Sequence, residues 1–256
     1  MAPDALWELF QRVVPPAPVR PQGGGRRRHG DREVLAAIIF VATSGYTWNQ
    51  LPPGFGPSGV TAFRRFTEWS QARVWAKLHR LVLDELGARG DLDWSRCAIN
   101  SVSGPGSQMG QLTGPNPIDR GKNGSKIHLI VDRSGLPLSI GISTANLHDS
   151  QALIPLVKGI PPVCSHRGRR RRRPAKLYGD KGYDYRHLRR WLASRGIRHR
   201  LARRGVESSE RLGRHRWVVE RTIGWLSGTR RLHRRYERKP EHSLAFAGIA
   251  ATLICF

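Results

Sequence analysis

KIHLIVDRSGLPLSIGI, residues 126–142, decides the fold. Its two halves, 126–131 and 136–142, alternate with the period of two that marks half-buried strands, and 132–135 between them supplies the Asp, Ser and Gly of a tight hairpin turn. Upstream, CAINSV (97–102) alternates in the same way. Downstream the pattern predicts a helix over 151–157, a basic loop HRGRRRRRP (166–174) and a strand over 175–178. A helix over 185–194, a strand over 199–202 and a long helix over 214–226 follow. Three strands, helix, strand, helix, strand, helix describes an α/β domain with a mixed sheet and flanking helices.

The first ninety residues read differently. Residues 1–30, with PPAPVRPQGGGRRRHG at 15–30, read as a flexible basic arm. Asp31 suits the N-cap of an apolar helix over 34–43 that stops at Gly45. A short helix and turn over 47–59 precede a helix over 60–70, with Ser58 as its cap. There Val60, Phe63 and Phe66 share one side while Arg64 and Arg65 face away, and a further helix covers 75–86. This outlines a helix-turn-helix-like DNA-binding region over 31–90; a plain helical bundle with solvated arginines has the same outline. GARGDLD (87–93) marks the boundary to a second domain, 91–256.

Charge narrows the function classes. Lys and Arg number 44 against 19 acids, a net charge of +25, and 37 of the 44 are Arg. Such a surplus opposes compaction by self-repulsion and calls for a polyanionic partner, and a planar guanidinium suits phosphate and guanine edges. The longest apolar run, 34–42, is too short to span a bilayer. No basic start precedes Asp4 and Glu8, so no signal peptide is expected. Cys97, Cys164 and Cys255 are isolated, which suits a reducing compartment and neither a disulfide framework nor a zinc site. A cytoplasmic, nucleoid-associated protein is expected.

Because acids are scarce, their positions are informative. Asp180 falls just past the 175–178 strand, where a strand end presents a side chain to a crevice. Glu220 lies within the 214–226 helix, beside an apolar stripe of Val219, Ile223 and Leu226, and shares a face with Arg216 four residues before it. Taken singly, each acid is better explained by a structural role than by a catalytic one.

Together with their surroundings they match a pattern. The segments LDWSRCAINSVS (92–103), GPNPIDRGKNGSKIHLIVDRSGLPLSIGIS (114–143), ANLHDSQ (145–151), DKGYD (180–184) and RLGRHRWVVERTIGWL (211–226), with FGPSGVTAFRRFTEWS (55–70), resemble DDE-type transposases of the insertion-sequence-five family. The resemblance covers nearly all of 31–256. It implies a ribonuclease-H-like fold carrying three carboxylates that hold Mg²⁺ or Mn²⁺. It further implies double-stranded DNA as partner, both element ends and target, and a homodimer or larger synaptic complex. Carried over by position, the second and third acids are Asp180 and Glu220, with Lys181 and Arg216 beside them as DNA contacts. The family's Tyr before that Arg is Gly213 here, and its basic residue after the Glu is Ser227.

The first acidic position is Asn100. Two metal ions about 3.5–4 Å apart around a scissile phosphate need anionic ligands, and Asn offers one neutral carbonyl oxygen. The expectation is a transposase with metal ligands Asn100, Asp180 and Glu220 and weakened catalysis; a non-catalytic DNA-binding remnant is the alternative. Asp93 lies too far upstream to substitute, and His148–Asp149 reads as a loop hydrogen bond or support for the site. Arg169, Arg170 and Arg171, within the 169–173 run, are either a solvated loop or a phosphate clamp beside the active site. Arg64 and Arg65 are the candidates for reading base edges.

Overall fold

The computed structural model describes residues 2–17, 28–106, 110–166, 168–203 and 209–256, with 209–215 as backbone only. Residues 18–27 of the basic arm lie outside the described residues. The sheet comprises β1 (Cys97–Pro105), β2 (Gly114–Pro115), β3 (Asn123–Val131), β4 (Pro137–Thr144), β5 (Lys176–Gly179) and β6 (Arg198–Leu201). β3 pairs antiparallel with β1, β4 and the short β2, whereas β5 runs parallel to both β1 and β6. The resulting order, β4-β3-β1-β5-β6, with three antiparallel strands and two added in parallel, is the ribonuclease-H-like mixed sheet. The hairpin at 132–135 forms as expected. The buried Asp132 carboxylate closes it by accepting from the N–H groups of Ser134 (2.9 Å) and Leu136 (2.8 Å), and from Asp93 N–H (2.9 Å).

Strand alternation divides the core into two faces. Cys97, Ile99, Ile130, Leu138 and Leu177 turn toward α4 (Val74–Arg89), α5 (Ser150–Gly159) and α6 (Arg186–Ser194), burying Leu83, Leu153 and Leu188 among them. Ala98, Leu129, Val131 and Tyr178 turn the other way, against Val218, Val219 and Leu226 of α7 (Ser209–Leu226) and Ala250 of α8 (Pro240–Cys255). The buried stripe of α7 therefore includes Val218 and the fully buried Thr222, with Ile223 only partly covered.

The helical region corrects several expectations. α1 (Asp4–Gln11) is part of the core and not of a loose arm, because Leu6 and Phe10 pack with α2 (Asp31–Ser44) and α3 (Gly59–Gln71). Gly30, rather than Asp31, caps α2, while Ser58 caps α3 as its sequence suggests, accepting from Thr61 N–H at 3.3 Å. α3 buries Ala62, Arg65, Phe66 and Trp69, and leaves Val60 and Phe63 largely exposed. Phe63 instead packs its ring on Trp48 and His242. α4 runs into the expected boundary segment 87–93, through to Arg89, and its Leu78 and Leu83 serve the helical core and the sheet core respectively. α8 does likewise, with Phe246 stacked on Phe66 at 4.5 Å and Cys255 in the sheet core. No helix among the described residues is long and apolar enough to cross a membrane.

Candidate active site at the strand ends

β1 and β5 run side by side, with Ala98 opposite Tyr178 as the last paired residues. Asn100 and Asp180 each stand two residues further on, so they lie abreast where the β1–β5 pairing has stopped, Asp180 just past β5 and Asn100 within β1, which continues to Pro105. Alternation gives them the face of Ala98 and Tyr178, the one that α7 covers. Asp180 is extended (φ −80°, ψ −174°), and its Oδ1 accepts from Gly182 N–H at 2.8 Å, capping the short turn Lys181–Tyr183. Gly179 just before it leaves no room for a side chain: a Cβ there would lie 2.8 Å from Leu201 and 3.1 Å from both Ile99 and Tyr183. That close packing fixes where the Asp180 carboxylate emerges.

Tyr183 is the residue that sequence reading passed over. Its ring is fully buried beneath the site. Burial, then the negative charges of Asp149 and Asp180, push its hydroxyl well above the usual phenol range; Arg216 and the Ser101 hydroxyl pull the other way. Its neighbourhood thus ties α7, β1, β5 and the start of α5 to one spot. DKGYD carried this signal: an aromatic three residues after an acid at a strand end has only the core to enter.

α7 is seated from its opposite flank. Thr222 Oγ1 donates to Gly135 O at 2.7 Å, and Arg221 donates to Ser134 O, so the helix is clamped over the β3–β4 turn. Glu220 occupies the other, open flank. Its side chain is 59% exposed and lies 3.5 Å from Arg216, which is itself only 20% exposed. The three expected metal-site residues are therefore not alike: Asn100, within β1, and Asp180, just past β5, are half-buried, and Glu220 on α7 is exposed.

The donor set is short of charge. Asn100 contributes an amide oxygen already accepting from Ser101 N–H at 2.9 Å. Among the described residues no group of three or more His, Cys, Asp or Glu side chains could hold a metal ion. Asp180 and Glu220 are hard oxygen donors of the kind Mg²⁺ and Mn²⁺ prefer, but two carboxylates do not fit the closely spaced pair of dications that phosphodiester chemistry uses. Asp93 does not fill the gap, since it accepts from Ser95 N–H at 2.8 Å and pairs with Arg133 at 3.3 Å before β1 begins. Asp149 is engaged by Lys126 at 2.8 Å, and His148 Nδ1 bonds the Ser150 hydroxyl at 2.8 Å, the loop hydrogen bond expected of it.

The basic residues separate into bound and available. Arg65 does not face outward. It is 5% exposed, pairs with Asp31, approaches Glu68 at 3.6 Å and lies 4.8 Å over the Trp69 ring. An acid on the neighbouring helix α2 outweighed the helical-wheel argument. Arg64 is exposed. The 169–173 run precedes β5, at the end of that strand opposite Asp180, so it is not beside the strand-end site. Arg170 donates to Asp84 at 3.1 Å and to Pro162 O at 2.8 Å, Arg173 donates to Arg195 O at 2.9 Å, and Arg171 lies 5.7 Å over Trp94. Arg169 and Lys181 are exposed.

Comparison with known proteins agrees with this architecture. Residues 2–79 match the family described as a putative transposase of the IS4/5 family, and residues 100–256 match the family described as a transposase DDE domain. The "Putative transposase for insertion sequence element IS402" of Burkholderia cepacia is 44% identical over 144 residues, covering 56% of this chain and 68% of that protein. An "Insertion element IS402 uncharacterized 16.2 kDa protein" of the same organism is 40% identical over 114 residues, 42% of this chain and 78% of its own length. A solved structure, "Mos1 transposase paired-end complex with left transposon end", aligns over 89% of this chain and 82% of that one at 12% identity. Its TM-score of 0.25 is too low to bear on the fold, which rests on the sheet order above.

Proposed function

Since the chain belongs to the DDE transposase family, we propose that it is a DNA transposase acting on the terminal inverted repeats of an insertion element. Its strand-end centre is Asn100, Asp180 and Glu220, and it is impaired by the amide at the first position. The observation that supports this reading is that Asn100 stands abreast of Asp180 where the β1–β5 pairing has stopped, on the sheet face packed against the helix that bears Glu220. With a carboxylate at position 100, that residue, Asp180 and Glu220 would hold divalent ions, which would supply charge neutralisation for a phosphodiester. The chain's own part is positional. Asp180 is held by its turn, Arg216 steadies Glu220, and Lys181 and Arg216 face the phosphate path. Sequence preference comes from Arg64 on α3, and phosphate contacts from Arg169, Arg170 and Arg171. Two element ends must be joined, so the acting form is a homodimer or larger complex on double-stranded DNA in the cytoplasm.

The test is nicking of an end-bearing DNA in Mg²⁺ and Mn²⁺ by the chain as it stands and by Asn100→Asp. Activity that appears or rises sharply in the variant supports the reading; equal rates remove the role given to position 100. A second reading, a DNA-binding remnant without catalysis, is favoured by the missing third carboxylate. Metal-dependent nicking by the unaltered chain excludes it.

A further inference from the structure

Asn100 is followed by Ser101, and the geometry of that dipeptide is unusual for a strand. Residues 98 to 105 of β1 pair with β3. In antiparallel pairing, alternate residues direct their N–H groups to the partner. Gly106 N–H donates to Asn123 O at 2.9 Å, so even-numbered residues of β1 face β3 and Ser101 N–H faces the β5 side. There the pairing has already stopped, at Ala98 opposite Tyr178. The Ser101 nitrogen is consequently held by the Asn100 side chain, whose Oδ1 lies 2.9 Å away. A side chain that captures its own following N–H replaces a ladder bond with a local one.

The same contact brings the Asn100 carboxamide against the one backbone nitrogen able to attack it. We propose that Asn100 is a self-modification site, at which deamidation converts the amide into the carboxylate absent from the strand-end centre. The Ser101 nitrogen, losing its proton to solvent base, forms a bond to Asn100 Cγ, and the side-chain nitrogen leaves as ammonia to give a succinimide. Water then adds to one of the two ring carbonyls and opens it, yielding aspartate or isoaspartate, so the net change is one water consumed and one ammonia released. No oxidant, reductant or partner is required. Both residues are half-buried, which admits water, and serine adds no branched carbon to block closure. Proximity of this kind sets the rate of ring-closing steps. Only the aspartate product restores a metal ligand; isoaspartate lengthens the backbone and displaces the carboxylate. The functional half of this inference rests on the proposed transposase reading, whereas the chemical half stands on the geometry alone.

The chain contains its own reference. Asn123 precedes Gly124, a less hindered neighbour than serine, but Gly124 lies between two strands, opposite Pro105 of β1 and Gly114 of β2. In the folded chain, Asn100 should therefore convert several-fold faster than Asn123, and in concentrated urea the order should reverse. The experiment incubates the intact chain in mildly alkaline water enriched in heavy oxygen and maps acid formation at each asparagine by peptide mass spectrometry. Ser101→Val, which crowds the attacking nitrogen but suits a strand, should slow conversion at position 100 alone. Asn123 converting first in the folded chain, or position 100 remaining an amide while other asparagines convert, overturns the inference. In a parallel arm, Mg²⁺-dependent nicking should rise with the aspartate fraction. Conversion without such a rise leaves the chemistry standing and removes its functional consequence. If Asn100→Asp itself fails to nick, it is the transposase reading that falls.

Discussion

Asn100, within β1, and Asp180, just past β5, stand at the same level, two residues past the paired Ala98 and Tyr178, so an amide stands where the proposed metal centre calls for a further carboxylate. The relationship fixes what each substitution there should do. Asn100→Asp adds one negative charge without changing shape, so the fold should be unaffected. Mg²⁺ should then raise the melting temperature of the variant and not that of the unaltered chain. Nicking should increase by about a hundredfold or more, the usual worth of one group stabilising transition-state charge. Chelation with EDTA should abolish both effects.

Glu220 tests the other half of the centre. Its side chain is 59% exposed, so Glu220→Gln removes only a solvent-facing pair with Arg216, worth about 0.3–0.5 kcal/mol. Urea denaturation should barely change. In the Asn100→Asp background, the same substitution should eliminate the metal-induced thermal shift. Retention of the full shift would place the ion elsewhere.

Arg64 and Arg65 are adjacent in sequence and opposite in consequence. Arg65→Ala leaves Asp31 without its buried partner, and breaking such pairs costs about 3–5 kcal/mol when both ends are buried. Asp31 is 25% exposed, so about 2 kcal/mol is expected in a urea titration. Arg64→Ala should leave stability unchanged and relax discrimination between a terminal repeat and unrelated duplex in a salt-matched binding assay. Equal weakening on both DNAs would deny it a recognition role.

Much of this was legible before the structure. The hairpin 126–142 announces itself because Asp and Gly sit where the turn needs them, and Asp180 because it follows a strand end in a chain where acids are scarce. What escaped was decided by distant parts of the chain. Arg65 looked solvent-facing because nothing in its own helix reveals that Asp31 will lie opposite. α1 looked like part of a basic arm because eight residues, Asp4–Gln11, carry a weak local signal, and its order comes from Leu6 and Phe10 entering the helical core, where Phe10 meets Trp69 of α3 and Trp75 of α4. The 169–173 run looked close to Asp180 because few residues separate them, yet a strand carries a chain away at about 3.3 Å per residue. Asn100 is legible only as a departure; that its oxygen would engage Ser101 required the ladder.

The pH dependence of stability follows from two buried histidines. Burial lowers His79 from 6.5 to about 4, although its bond to Pro137 O (3.0 Å) opposes the shift. Burial likewise lowers His128 to about 4, with Asp149 opposing and Lys126 assisting. Both are neutral in the folded chain near pH 7, and in the unfolded chain they take up protons near 6.5. Between pH 6.5 and 4 the unfolded state binds more protons, so stability falls as pH falls through that window and levels off below about 4. His79→Gln, which keeps a donor for Pro137 O, should flatten the slope of unfolding free energy against pH by roughly one proton across the window. His128→Gln should do the same independently, since the two rings serve different elements, α4 and β3. If the double variant keeps the slope of the unaltered chain, these rings are not the source of its acid sensitivity, and carboxylates held below their usual range, such as Asp93 beside Ser95 and Arg133, must carry it.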